Sequence, residues 1–170
     1  MTKADFEFIV RGHQAMVYSI AYNFFRNVAV AEEVAQDVFL QLFQNLHAVG
    51  SDSHVVSWLR RATTHRCIDT ARRRSFSNEI QLEELPDIPD DLPANDPLLK
   101  ERLRRLVASL PEKQRMVVLL RYGEDMDAEE IGEALGMPVR TVWSHLQRAI
   151  ALMREKAARY LKEESNESIR

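Results

Sequence analysis

Residues 127–153 constrain the fold of this chain most, because they have the pattern of two helices joined by a tight turn. Asp127, with Glu130 three residues later, forms the sequence signature of a capping box at a helix N-terminus. Gly136 supplies the backbone freedom that a tight turn needs, and Pro138 suits the first position of a following helix. The stretch therefore predicts a helix-turn-helix.

The second helix of this motif has an apolar and a polar face at 3.6 residues per turn. Val142, Trp143 and Leu146 fall on the apolar face, which we expect to pack against the preceding helix. The polar face has two arginines and no acid, and such a surface fits the major groove of DNA. An ordinary amphipathic surface helix is the alternative, which the motif and the one-sided charge disfavour. The candidate DNA-binding residues here are Arg140, Thr141, Ser144, Gln147 and Arg148.

Composition limits the class of protein. The chain has 170 residues, 45% of them hydrophobic and 29% charged, which is ordinary for a globular protein of one or two domains. A net charge of −3 argues against indiscriminate coating of nucleic acid, so DNA binding must come from local basic patches. A single cysteine, Cys67, excludes an intramolecular disulfide. With no signal peptide or long apolar run, we expect a cytoplasmic protein without membrane insertion.

Five glycines and almost no alternation of apolar and polar residues predict an all-α fold. The five histidines are scattered, and none stands at metal-site spacing from another histidine or an acid, so we expect no metal and no cofactor. The sequence also has no glycine-rich phosphate loop, no nucleophile with a recognisable partner and no clustered acid pair. We therefore expect a protein without catalysis of its own.

Residues 29–46 form a helical pattern with one face of valines and leucines. The opposite face has acids and amides but no lysine or arginine, whereas a solvated helix usually mixes both signs. Either this is a plain exposed face or, as the one-sided chemistry favours, it is a docking surface for a basic partner. Its polar residues are Glu32, Glu33, Gln36, Asp37, Gln41, Gln44 and Asn45.

Residues 55–74 carry six arginines against one acid, Asp69, and Trp58 lies near the start of the segment. Arginines interleaved with an aromatic side chain suit a phosphate backbone and an unstacked base. For Trp58 alone, packing in the core is an equal alternative.

Residues 77–96 contain seven acids, three prolines and no basic residue. This composition predicts a flexible acidic linker that is extended in the free protein. The chain is thus divided into two small helical domains, residues 1–76 and 97–163, followed by a polar tail at 164–170.

These blocks, in this order, resemble the extracytoplasmic-function sigma factors of bacterial RNA polymerase. AEEVAQDVFLQLFQNL is similar to their region 2.2, WLRRATTHRCIDTARRR to regions 2.3 and 2.4, and LPEKQRMVVLLRYGEDMDAEEIGEALGMPVRTVWSHLQRA to region 4. The resemblance implies a subunit that binds core RNA polymerase, opens the downstream promoter element with its first domain and reads the minus-35 element with its second. Whether an anti-sigma factor is a further partner stays open.

The resemblance also implies roles for single residues. Contact with the coiled coil of the largest polymerase subunit falls on Glu33, Gln36 and Asp37. The promoter-melting side falls on Trp58, Arg61, Arg72 and Arg73, together with His65, which stands where the family commonly has asparagine.

The recognition helix departs from the family pattern at several positions. Ser144 and Arg148 match it, but Trp143 and His145 stand where basic residues are common, and Arg140 stands where glycine is common. The preferred promoter bases therefore cannot be carried over from the family.

Two other classes of function compete with the sigma-factor interpretation. A stand-alone helix-turn-helix regulator would need a dimer seam and would bind its operator without polymerase. An all-helical adaptor that binds only proteins is least favoured, because it leaves the arginine-rich helices unexplained.

Overall fold

The computed structural model describes residues 3–45, 52–76 and 97–167. Within these ranges the chain forms α-helices and no strand, which confirms the predicted all-α fold. The predicted acidic linker, 77–96, lies outside the described residues. The helices are α1 (Lys3–Phe25), α2 (Val28–Gln44), α3 (Asp52–Phe76), α4 (Pro97–Ala108), α5 (Glu112–Tyr122), α6 (Ala128–Leu135) and α7 (Val139–Glu167).

The first domain consists of α1, α2 and α3, which pack against one another. The valine and leucine pattern of α2 is its buried face, as the spacing predicts, and Val34, Val38 and Leu42 are all at most 1% exposed. Asn27 caps this helix, because its side-chain oxygen accepts a hydrogen bond of 3.0 Å from the Val30 backbone N–H. Because the valine and leucine face is buried, the acidic and amide face of α2 points away from the core.

The second domain consists of α4 to α7 and contains the predicted helix-turn-helix in α6 and α7. Asp127 accepts a hydrogen bond of 2.8 Å from the Glu130 backbone N–H, and its own N–H donates to the Glu130 carboxylate at 2.9 Å. Gly136 has a φ of 63°, in the left-handed region that favours glycine. A Cβ at Gly132 would lie 2.8 Å from the Met137 carbonyl oxygen, so only glycine lets the turn approach α6 so closely.

At its C-terminus, α7 continues as a helix to Glu167, into the segment predicted as a polar tail. Pro138 lies one position earlier than expected, because its carbonyl accepts from the N–H groups of Thr141 and Val142. It therefore precedes the helix as a cap residue instead of occupying the first turn. No helix in the described part of the chain is long and apolar enough to span a membrane.

Candidate nucleic-acid and protein interfaces

The recognition helix α7 presents its polar face to solvent. Val142, Leu146 and Ala149 are at most 3% exposed and fix the helix on the rest of the domain. On the opposite face Arg140, Gln147 and Arg148 are exposed, and Thr141 and Ser144 are half-buried. All five predicted side chains therefore lie on one accessible surface with two cationic groups.

One of these side chains is already engaged within the helix. The Ser144 hydroxyl donates a hydrogen bond of 3.0 Å to the Arg140 carbonyl oxygen, one turn earlier. The hydroxyl proton is thus used locally, while its oxygen lone pairs stay available to a donor. Arg140 and Arg148 have no ion pair among the described residues, so both guanidinium groups are available to bind an anionic partner such as DNA.

Trp143 does not belong to the core, contrary to the sequence prediction. Its side chain is 50% exposed, whereas Val142, which precedes it, is fully buried. One residue turns the helix by 100°, and this rotation carries Trp143 from the buried centre to the border with Gln147. The exposure of Trp143 could have been predicted from the helical wheel. Val142, Leu146 and Ala149 define the centre of the apolar stripe, and Trp143 lies at its edge.

His145 lies at the other border of the same helix and is half-buried. Burial, followed by the neighbouring charges of Arg148 and Lys113, lowers the pKa of this histidine below its ordinary value. At neutral pH it is therefore an uncharged side chain beside the predicted DNA-binding surface, and the positive charge of this surface comes from the two arginines.

Helix α3 has a more complicated surface than α7. Trp58 is half-buried and packs against the core, so it contributes to packing while part of its side chain stays accessible. Arg61, His65, Arg72 and Arg73 are exposed along the same helix, as a DNA-facing role requires. The remaining arginines of α3 are drawn away from solvent by acids of other helices.

Two of these ion pairs involve the predicted polymerase-facing acids. The Asp37 carboxylate accepts from Arg66 Nε at 2.9 Å and also pairs with Arg66 Nη2. Glu33 Oε2 lies 3.6 Å from Arg74 Nη2. Arginines of α3 therefore partly neutralise the acidic face of α2. A basic partner would compete with these arginines for the carboxylates of α2. Sequence spacing alone did not indicate these pairs.

Apolar side chains extend this face of α2. Leu40, one turn from Gln36, is 56% exposed. Phe43 is 52% exposed and contacts Phe6 edge-on, with 5.2 Å between the ring centroids. Acids beside exposed aromatic and aliphatic side chains have the composition of a protein-binding surface.

The structure offers little for metal or nucleophilic chemistry. In the described ranges, histidine, cysteine and acidic side chains form no group of three that could hold a metal ion. Cys67 is buried, and desolvation raises the pKa of its thiol to about 12. A thiol that stays protonated is a packing residue and a poor nucleophile.

Comparison with known families identifies both domains. Residues 9–77 match the family described as Sigma-70 region 2, and residues 100–153 match Sigma-70, region 4. The chain is 32% identical over 164 residues to an ECF RNA polymerase sigma factor, SigE, of Mycolicibacterium smegmatis, covering 91% of this chain but only 62% of that relative. It is 30% identical over 152 residues to the RNA polymerase sigma-E factor of Streptomyces avermitilis, covering 89% of this chain and 84% of the relative.

A solved structure has the same fold. The sigma factor RpoE from Bartonella quintana, crystallised in complex with the anti-sigma factor NepR, superposes with a TM-score of 0.67. The match covers 89% of this chain and 95% of that one at 16% sequence identity. At this identity the likeness concerns the fold and not single residues.

Proposed function

Since this chain belongs to the sigma-70 family, among its extracytoplasmic-function members, we propose that it directs core RNA polymerase to promoters by reading two DNA elements with its two helical domains. The observation that carries the proposal is the pairing of two DNA-facing helices, α3 and α7, in one chain with an acidic docking face on α2. Catalysis belongs to the polymerase, and the chain supplies recognition. It acts where polymerase acts, in the cytoplasm.

Helix α7 is assigned to the minus-35 element. Its five polar side chains face solvent together, and Arg140 lies in the first turn, the end that enters the major groove in helix-turn-helix proteins. Arg148 lies two turns further on the same face and is placed to contact phosphate or base. Trp143, at the edge of this face, adds an apolar group that can contact a thymine methyl.

Helix α3 is assigned to the downstream element. Trp58 is half-buried, and the exposed side chains of Arg61, His65, Arg72 and Arg73 follow it along the helix. Arginines bind the backbone of single-stranded DNA, and an aromatic face stacks on an unpaired base. This arrangement suits a melted strand better than an intact duplex.

Core polymerase is assigned to α2. Glu33, Gln36 and Asp37 line its outer face, and Leu40 adds apolar area beside them. A partner with basic residues around an apolar patch would complement this surface in both charge and hydrophobicity. Because the RpoE structure from Bartonella quintana holds an anti-sigma factor, we also infer an anti-sigma factor as a candidate regulator of this chain.

A stand-alone regulator accounts for less of the molecule. It explains α6 and α7 but gives no role to the match of residues 9–77 with Sigma-70 region 2. The two proposals differ in one requirement, which is core polymerase.

In vitro transcription separates them. Core polymerase is incubated with a library of promoter fragments, with and without the purified chain, and initiation sites are mapped. We expect initiation at a defined subset of sites only when the chain is present, and loss of these transcripts with Arg140→Ala. Site-specific duplex binding without polymerase, combined with no new initiation site in its presence, would favour the stand-alone regulator.

A further inference from the structure

One face of helix α1 belongs to none of the three surfaces assigned to DNA and polymerase. From residue 8 to residue 26 the chain has no acidic residue, and it has two arginines there, Arg11 and Arg26. The half-buried tyrosines Tyr18 and Tyr22 lie between these arginines on one side of the helix. This acid-free face is opposite in charge to the acidic face of α2 in the same domain.

Tyr18, Tyr22 and Arg26 form a stacked ladder at the C-terminal end of this face. The two tyrosine rings are stacked, with 5.8 Å between their centroids and 6° between their planes. The guanidinium carbon of Arg26 lies 4.8 Å from the centroid of the Tyr22 ring, which is within the range of a cation–π contact. Both rings also pack against the core, and this packing fixes their orientation.

The backbone of Arg26 holds the cation at this place. Its φ of 53° lies in the left-handed region, which favours glycine and which other residues rarely adopt. Its N–H donates a hydrogen bond of 2.7 Å to the Tyr22 carbonyl oxygen, where α1 ends. An arginine at a position where glycine would avoid the strain points to a use for its side chain.

Tyr18 ends the ladder without a second stacking partner. Among the described residues its ring has no aromatic or cationic neighbour besides Tyr22, and its hydroxyl forms no hydrogen bond. Ala15, one turn earlier, is small and exposed. Arg11 lies two turns before Tyr18, roughly 10 Å along the helix axis. It is exposed and has no ion pair in the described ranges. The helix therefore leaves room for a flat group between Tyr18 and a free cation.

We propose that this face of α1, defined by Arg11, Tyr18, Tyr22 and Arg26, binds single-stranded DNA, with one unpaired base stacked on Tyr18 and phosphates held by the arginines at its two ends. Every base has an aromatic face, so the site adds affinity with little sequence preference. A base inside an intact duplex is not accessible to such a ring, so the site selects unpaired DNA. Its use at a melted promoter rests on the proposed function, whereas single-strand binding does not.

A protein is the alternative occupant, since tyrosine and arginine are also enriched in protein interfaces. DNA is favoured because this face has cations and no acid, whereas the face of α2 combines acids with exposed apolar side chains. Helix α1 also packs against α3. Packed helices are about 8–10 Å apart, so a strand bound along α3 reaches α1 within a few nucleotides.

Binding of a fluorescently labelled oligonucleotide of about 12 thymidines to the full chain tests the stacking contact. Tyr18→Leu removes the ring and keeps an apolar side chain, so we expect binding to weaken about tenfold. Tyr18→Phe keeps the ring and should bind like the unchanged chain. Tyr122→Leu is the matched control, because Tyr122 is 68% exposed in the second domain and belongs to no proposed site. Equal affinities of Tyr18→Leu and this control would overturn the proposal.

A duplex of the same length separates base stacking from general attraction to phosphate. Tyr18→Leu should bind the duplex as tightly as Tyr122→Leu does, because paired bases do not reach the ring. If Tyr18→Leu loses affinity for the duplex and for the single strand to the same extent, α1 has no preference for unpaired DNA and the proposal is wrong.

Arg11→Gln tests the phosphate contact, and it decides the question if circular dichroism shows that Tyr18→Leu does not fold. Loss of one phosphate contact should reduce the slope of log affinity against log salt by about 0.7 on the single strand. Arg104→Gln is the control, with the same charge change at an exposed position of α4. Identical slopes for the two variants would reject the site.

Core polymerase distinguishes the two occupants. If Tyr18→Leu weakens binding to core polymerase and leaves oligonucleotide binding unchanged, this face of α1 binds protein and the proposal is overturned. Failure of the proposed function is a separate result. In that case the oligonucleotide measurements hold, but core polymerase with the unchanged chain initiates at no defined site.

Discussion

Helices α3 and α7, the two helices that we propose contact DNA, both carry arginines, but they differ in how available those arginines are. On α7, Arg140 and Arg148 are exposed and form no ion pair among the described residues. On α3, Arg60, Arg66 and Arg74 are paired with acids of α6 and α2. The same residue type is thus unpaired on one helix and engaged with acids of neighbouring helices on the other, among the residues that the structure describes.

This difference follows from the position of each helix. Helix α7 packs on one side against its own domain, and no other described helix covers its polar face. Helix α3 lies between α2 and the second domain, and acids of both reach its arginines. Exposed ion pairs contribute about 0–1 kcal/mol, so a partner with better geometry can displace them. We infer that the arginines of α7 are always available to bind DNA. The paired arginines of α3 become available only when a partner of α2 or α6 displaces their ion pairs.

The largest expected effect comes from reversing the acid that holds Arg66. Asp37→Arg places a cation beside Arg66 and toward the basic partner proposed for α2. Like charges at an interface cost several kcal/mol, so core polymerase binding should fall by about 100-fold. The measurement is the dissociation constant for core polymerase, with circular dichroism to check the fold.

Gln14→Arg serves as a control for this effect, because it adds a cation at an exposed position of α1, outside the acidic and amide face of α2. If Asp37→Arg binds polymerase as well as this control does, the assigned docking face is wrong.

The next effect concerns helix α7, whose two arginines are exposed. Arg140→Ala should change the preferred minus-35 sequence, since a bidentate arginine to guanine contributes about 1–3 kcal/mol of discrimination. Arg148→Ala should lower binding to all sequences alike and flatten the salt dependence. Selection of bound sequences from a random pool by the full chain measures both, and an unchanged preferred sequence in Arg140→Ala removes that residue from base readout.

A smaller effect tests whether Arg66 is a shared group. Asp37→Asn removes its partner, so Arg66 becomes available to single-stranded DNA in the absence of polymerase. One additional phosphate contact steepens the slope of log affinity against log salt by about 0.7. Glu32→Gln is the control, because Glu32 is exposed on the same helix and has no ion pair among the described residues. Identical slopes for the two variants would mean that Arg66 does not reach DNA.

The smallest effect is a pH dependence confined to α7. The pKa of His145 is lowered in the folded chain by burial and then by Arg148 and Lys113, so the unfolded chain takes up this proton first as the pH falls. Stability should therefore decrease as the pH drops below about 6.5, the ordinary histidine pKa. In His145→Gln the denaturation midpoint should no longer show this decrease at low pH. In His65→Gln, at an exposed position of α3, the decrease should remain. A wild-type pH profile in His145→Gln would contradict the assignment.

Much of α7 and of the turn before it could be predicted from local sequence. Capping by Asp127 and Glu130, the left-handed Gly136 and the polar face of α7 all depend on residues within a few positions of one another. Trp143 was placed wrongly, because it lies at the border of an apolar stripe, where a rotation of one residue decides exposure. Border positions are set by the neighbouring helix and not by periodicity.

The sequence by itself determined the all-α fold, the two blocks of sigma homology and the arginine-rich faces, because helical periodicity and capping are local. Only the tertiary structure decided which arginines are engaged. The pairs of Arg66 with Asp37 and of Arg60 with Glu130 join residues 29 and 70 positions apart, and the buried contact of Thr64 with Ala134 spans 70 as well. Contacts over such separations depend on how whole helices dock, and no local pattern of side chains encodes that geometry.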